Sequence, residues 1–301
     1  MAMLTKEKSL AYLSVLRIDH WVKNLFICTG ILFALAFTKT PLSLTLGLHV
    51  ILLLFVFGLV ASVNYVINEI VDAPFDRFHP TKKFRAIPSG KVRIRVLLGI
   101  IAVLLSCALI IAHLFLSSLI IVVLIGFFVS GIIYNIPPIR LKDVFILDVI
   151  TESVNNPIRF LAGWLLISPM FPPIYFLWAF WALGAFWMAG KRYGEIVYFV
   201  EAQGALKQYR ASFKHYTQKN LLTFIILSTV IFFVGFLFIV RSYPSLWMTI
   251  PFVLLYFVWY FAMIMKKNSL VREPETIVQK PWFMLYHVFL GSLFFAALFL
   301  W

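Results

Sequence analysis

Asn68, Asp72 and Asp76 stand at i, i+4 and i+8, a spacing that puts an amide and two carboxylates on one face of a helix. Such oxygens are ligands for a hard cation. Mg²⁺ in particular is held by one or two carboxylates together with substrate phosphates and water. A basic, turn-rich stretch follows at once, with His79, Pro80, Lys82, Lys83, Arg85, Pro88 and Gly90. Lysine and arginine beside a metal-holding acidic face suit a diphosphate, because the metal bridges some of its oxygens and the cations take the others. The plainer alternative is a solvated helix end whose acids pair with Arg77 and Lys82.

Three further segments carry chemistry. Arg17-Ile18-Asp19-His20-Trp21-Val22-Lys23-Asn24 leads into an apolar run; by composition it is an interfacial anchor, since Trp, Lys and Arg are ordinary at a membrane boundary. After Tyr134-Asn135-Ile136-Pro137-Pro138-Ile139-Arg140-Leu141-Lys142-Asp143, the residues Asp148, Glu152, Asn155 and Arg159 form a polar stripe along one helix. A polar stripe through an apolar span faces the bundle interior or a water-filled cavity. It can serve as hydrogen-bonding glue between helices, although an arginine about three turns into a span calls for an anionic partner. Finally, Gly190-Lys191-Arg192-Tyr193-Gly194-Glu195 closes another apolar run, where the plain reading is a basic anchor.

The elements that must position these residues are membrane helices. Of 301 residues, 62% are hydrophobic and only 13% charged, with 32 Phe and 9 Trp. A soluble domain is roughly half apolar and a quarter charged, so a soluble enzyme is excluded, as is a disordered chain. Cys28 and Cys107 both fall in apolar runs and indicate neither a disulfide framework nor a zinc site. Crossing ~30 Å of hydrocarbon takes about 20 helical residues. Runs of that kind at 22–38, 44–67, 94–113, 116–134, 144–168, 171–190, 220–241, 245–265 and 282–301 predict nine spans. No linker divides the chain, so residues 1–301 read as one polytopic membrane domain.

Of the 26 Lys and Arg, only Lys39 and Arg241 fall at the ends that would face outward. The basic excess marks cytoplasmic loops, which places the N-terminus and the loops 68–93, 135–143, 191–219 and 266–281 in the cytoplasm. All 12 Asp and Glu fall on that side too, so the chemistry is expected at the cytoplasmic face. The net charge of +14 follows from orientation and from anionic headgroups, and it also suits a polyanionic substrate. Basic residues scattered over four loops do not make a nucleic-acid face.

Asn68-x-x-x-Asp72-x-x-x-Asp76 resembles the first acidic motif of the UbiA superfamily of intramembrane transferases. The longer string from Asn68 through Lys82, Arg85, Ile87 and Gly90 is most similar to its decaprenyl-phosphate phosphoribosyltransferase branch. Trp21-Val22-Lys23-Asn24 and Lys191-Arg192-Tyr193-Gly194-Glu195 are similar to that branch as well. The usual Asn-Asp of the motif is Asn68-Glu69 here, and Glu69 is left outside the ligand set. The resemblance implies an all-α integral membrane protein, a nine-helix bundle of UbiA type with a cytoplasm-facing cavity in the cell (inner) membrane. It implies Mg²⁺ on Asn68, Asp72 and Asp76, with Asp72, Asp76 and Lys191 in catalysis. Substrate binding would fall to Lys23, Asn24, Lys82, Lys83, Arg85, Tyr134, Lys142, Asp148, Arg159, Arg192, Tyr193 and Glu195. The implied partners are phosphoribosyl diphosphate, a polyprenyl phosphate and the bilayer, with homo-oligomerisation left open.

Phosphoribosyl transfer and prenyl transfer to an aromatic or quinone-precursor acceptor demand different sites. In the second the diphosphate leaves from the lipid, and a second acidic clamp after the sixth span is useful; Lys191-Arg192 in that place favours the first. A transporter or scaffold would explain the spans but not acids gathered at one end.

Overall fold

The structure, a computed structural model, describes residues 2–77, 81–201, 211–266, 271 and 280–299, so His79 lies outside the described residues. Among these, helices alternate with short connections. In chain order they are α1 (Ala2–Leu16), a 3-10 segment (Ile18–Leu25), α2 (Phe26–Thr38), α3 (Leu44–Asp76), α4 (Ile94–Phe115), α5 (Ser118–Asn135), α6 (Leu147–Ser153), α7 (Asn155–Ile167), α8 (Ile174–Glu201), α9 (Gln218–Ser242), α10 (Ile250–Ile264) and α11 (Pro281–Phe299). Helix starts are set locally: the Ser43 and Ser117 hydroxyls accept the N–H groups of Leu46 and Ile120, and Thr217 and Asn220 form a capping box.

Seven helical stretches among the described residues are long and apolar enough to cross a bilayer: Ser9–Thr38, Leu44–Asp76, Ile94–Phe115, Ser118–Asn135, Gln218–Ser242, Pro244–Ile264 and Pro281–Phe299. The expected spans at 144–168 and 171–190 are not among them. The first is divided at Val154, because Pro157 has no N–H to return to the Ser153 carbonyl and its ring crowds that oxygen. The second is α8, which continues beyond the expected end and carries Lys191, Arg192 and Glu195 on a helix rather than a loop. The polar N-terminal residues form a helix of their own, α1, which the apolar pattern does not predict.

Two packing features fix the frame. α2 crosses α7 with the backbones almost touching: a Cβ on Gly30 would meet the Phe160 carbonyl oxygen at 2.0 Å, and one on Gly163 would meet that of Ile27 at 1.9 Å. Small residues allow such crossings where no hydrophobic force drives helices together in lipid. The 3-10 segment is pinned to α3, since Trp21 lies over Gly58 and donates to the Ser62 hydroxyl at 3.0 Å, which in turn donates to the Leu16 carbonyl at 2.7 Å. The core is aromatic around Phe160, which stacks on Phe176 and Phe180 at centroid distances of 5.3 and 4.5 Å. Side chains such as Val103, Ile110 and Val288 point outward, as lipid contact requires. α3, with 33 residues, is about 50 Å long. It therefore overshoots the ~30 Å hydrocarbon layer, and its last turns carry Asn68, Asp72 and Asp76.

Candidate active site

One cavity of about 150 Å³ collects residues from the 3-10 segment, α3, the loop after it, α5, the 140–143 turn, α6 and α8. Asn68 and Asp72 line it from α3. The Lys142 ammonium donates to Asp72 Oδ1 at 2.6 Å and to Asn68 Oδ1 and Asn135 Oδ1, both at 2.9 Å. Arg140 Nη2 donates to the same Asp72 oxygen at 2.9 Å. Arg140 also reaches Asp143 at 2.5 Å and the Asn135 carbonyl at 3.2 Å, and its guanidinium lies 5.0 Å from the Phe75 ring centre. Its φ of 35° is a left-handed conformation that a non-glycine residue holds only when its surroundings impose it; these bonds do so.

Asp76 is placed differently. Its carboxylate is wholly buried and does not line the cavity; Oδ2 accepts from Arg85 Nη1 at 2.8 Å, and Oδ1 has no partner among the described residues. Two turns earlier on α3, buried Glu69 accepts the Ile87 N–H at 3.2 Å. The two acids clasp the 82–90 loop onto α3 and thereby hold Arg85 and Lys82 at the cavity wall. Burial pushes the Lys82 ammonium down to about 7; Arg85 and Lys191 add to the fall, and Glu195 and Asp76 oppose it.

α8 contributes Lys191, Arg192 and Glu195 to the wall. The Arg192 guanidinium donates to Asp148 at 2.8 Å, Glu195 at 2.5 Å and the Tyr134 hydroxyl at 3.4 Å. Tyr216 donates to the other oxygen of Asp148 and accepts the Ile146 N–H at 3.1 Å. Burial first, and then the Asp148 charge, raises the Tyr216 phenol well above its ordinary range, so it stays a donor. Arg192 and Asp148 thus tie α5, α6, α8 and the 211–216 segment together.

Of the residues singled out in the sequence, the cavity unites Lys23, Asn68, Asp72, Lys82, Arg85, Tyr134, Lys142, Lys191, Arg192 and Glu195. Six others lie elsewhere, among them Asp76, buried against Arg85. Lys83 is exposed, with its ammonium 5.1 Å from the Phe84 ring centre. Tyr193 and Asp148 are buried outside the lining. Arg159 donates to Asn24 at 2.9 Å and to the Asn155 carbonyl at 3.3 Å, with Phe127 beneath it at 4.7 Å; both Arg159 and Asn24 are buried away from the cavity. The anionic partner expected for Arg159 is not within ion-pair distance among the described residues.

Arg17, His20, Tyr65, Arg140 and Glu152 also line the cavity without having been selected. Glu152 belongs to the polar stripe, whose spacing already pointed to the bundle interior, while Arg17, His20 and Arg140 sit in quoted segments where nothing in their spacing separates them from an anchor. The wall carries eight basic and four acidic side chains, an excess suited to a polyanion. Among the described residues no group of three or more His, Cys, Asp or Glu could hold a metal alone. The oxygens of Asn68 and Asp72 in an open cavity fit Mg²⁺ in its usual setting, where phosphates and water complete the shell.

The sequence profile of the UbiA prenyltransferase family matches residues 25–285. A decaprenyl-phosphate phosphoribosyltransferase of Corynebacterium glutamicum is 28% identical over 68% of this chain and 59% of its own length. One of Mycobacterium tuberculosis is 30% identical over 68% of this chain and 66% of its own; the chain thus spans about three fifths to two thirds of those relatives. Among solved structures, a UbiA homolog from Archaeoglobus fulgidus bound to DMAPP and Mg²⁺ superposes with a TM-score of 0.71 at 19% identity, covering 96% of this chain and 98% of that one. That likeness shows the fold.

Proposed function

We propose, for a chain that belongs to the UbiA prenyltransferase family, a membrane transferase that moves phosphoribose from phosphoribosyl diphosphate to a polyprenyl phosphate and releases diphosphate. The observation that carries this reading is the cavity wall itself, in which Asn68 and Asp72 face a lining rich in cations, Lys191 among them. Relatives named decaprenyl-phosphate phosphoribosyltransferase support the choice of donor. Asn68 and Asp72 would hold Mg²⁺, which when bound stabilises charge building on a departing diphosphate, whereas Asp76, expected from the sequence as a third ligand, is buried outside the cavity against Arg85.

The chain's own residues do the rest. Lys82, Arg85 and Lys191 bind diphosphate oxygens that face the loop and α8. Arg192 keeps α8 in register by its bond to Asp148 and is itself oriented by Glu195 on the same helix. A polyprenyl phosphate is already anionic at neutral pH, so no strong general base is needed at the attacking oxygen. The site's work is to bring two anions together in fixed geometry, for which the surplus of cations, Lys23 included, is the requirement. The active site would open to the cytoplasm, on the basic side of the chain.

Purified protein in lipid nanodiscs, given Mg²⁺ and either donor, separates the readings. Phosphoribosyl diphosphate with a polyprenyl phosphate is expected to release diphosphate. Release with a prenyl diphosphate and an aromatic acceptor, and none with the sugar donor, contradicts the proposal.

A further inference from the structure

Lys142 has an unusual setting for a lysine in a proposed substrate site. It is 2% exposed, and each of its three ammonium hydrogens has a side-chain oxygen to meet: Asp72 at 2.6 Å, Asn68 at 2.9 Å and Asn135 at 2.9 Å. Two of these three oxygens belong to the face that the function above assigns to Mg²⁺. The third is fixed in turn, since Asn135 Nδ2 donates to the Gly131 carbonyl at 2.9 Å. The ammonium is therefore a cation already seated among metal-type ligands.

A divalent ion arriving alone at Asp72 meets two obstacles. It must compete with the ammonium for Asp72 Oδ1 and Asn68 Oδ1, and it must enter a wall where Arg140 is bonded to the same carboxylate oxygen at 2.9 Å and basic residues outnumber acidic ones eight to four. Like charges at such distances repel strongly where water is scarce. An entering diphosphate reverses both: its charge offsets that of the metal, and its oxygens give the ammonium a new acceptor.

We propose that Lys142 is a resident counter-cation that occupies the oxygens of Asn68 and Asp72 until a diphosphate draws it away, so that metal and diphosphate bind as a pair instead of metal first. The inference rests on the metal-diphosphate part of the functional reading and not on which diphosphate is the donor. It makes Lys142 a positioning residue that sets the order of binding. Because coupling is reciprocal, the factor by which diphosphate tightens the metal is the factor by which the metal tightens diphosphate.

The test uses Mn²⁺ as a paramagnetic stand-in and inorganic diphosphate as the anion, on the full chain in nanodiscs, with free Mn²⁺ read by electron paramagnetic resonance. Wild type should bind Mn²⁺ weakly alone and at least about tenfold more tightly with diphosphate present, within the usual range of coupling. Lys142→Met, with a thermal melt to show that it folds, should bind Mn²⁺ alone at least about tenfold more tightly than wild type and lose most of the coupling. Lys142→Arg, which keeps the charge, should stay weak. Tight binding of Mn²⁺ to wild type without diphosphate overturns the inference and needs no variant. So does Mn²⁺ affinity in Lys142→Met equal to wild type. Mn²⁺ binding in neither protein, even with diphosphate, overturns the metal-diphosphate reading as well.

Discussion

At the scale of the residue, Asp72 and Asp76 look equivalent in the sequence and differ in the structure. Asp72 faces the cavity between two cations, while Asp76 is buried and bonded to Arg85. Their amide variants should fail in different ways. Asp72→Asn should cut turnover by at least about 10², the order found when one charge-stabilising group is removed from an active site, in protein that still folds. Asp76→Asn should loosen the 82–90 loop as well, visible as faster proteolysis at exposed Ser89 and Gly90. Equal turnover of Asp72→Asn and wild type would remove Asp72 from the chemistry. Lys82 gives a pH prediction. An ammonium that titrates near 7 binds anions below that pH and loses its charge above it, so diphosphate affinity should fall between pH 6 and 8, by at most about tenfold per pH unit. Lys82→Arg fixes the charge. Its affinity profile should be flatter than that of wild type in the same buffers; superimposed profiles would assign the slope to the ligand.

At the scale of the element, α2 and α7 meet through glycine, and that crossing holds Asn24 against Arg159. Gly163→Ala places a methyl into the Ile27 carbonyl and should cost about 1–3 kcal/mol, the range of overpacked contacts, read as a lower unfolding temperature in detergent. A neutral result would mean that the helices can part. Apolar runs reveal where most helices lie, since length and hydropathy follow from the thickness of the bilayer. The division at Val154 is less legible: Pro157 is visible, but whether it ends a helix or only kinks it depends on packing. α8 ran past its predicted end because charged residues look like a loop until the partners Asp148, Glu195 and Tyr134 are seen around Arg192. The polar face of α3 was legible from types and spacing, whereas the basic pair of α8 read as an anchor by composition and gained a site role only from the family resemblance. The oxygen cage around Lys142 was not, because Asn68, Asp72 and Asn135 come from two helices whose register no periodicity reports.

At the scale of the molecule, the sequence predicts charge gathered on one side of the bundle, and the cavity has a basic excess. Orientation follows as a prediction that can be read by labelling. In a background with Cys28 and Cys107 replaced by serine, Ser89→Cys should react with a membrane-impermeant maleimide only from the cytoplasmic side, and Thr40→Cys only from the opposite side; both positions are exposed. Reaction of both from one side would overturn the topology. The central claim is that the α3 wall and the α8 wall grip one sugar diphosphate between them. Its most direct measurement is a structure of the protein in nanodiscs with Mg²⁺ and a non-hydrolysable analogue of phosphoribosyl diphosphate. The account predicts diphosphate density spanning from Asn68 and Asp72 to Lys191; an analogue bound away from either wall, or in no ordered site at saturating concentration, would contradict it.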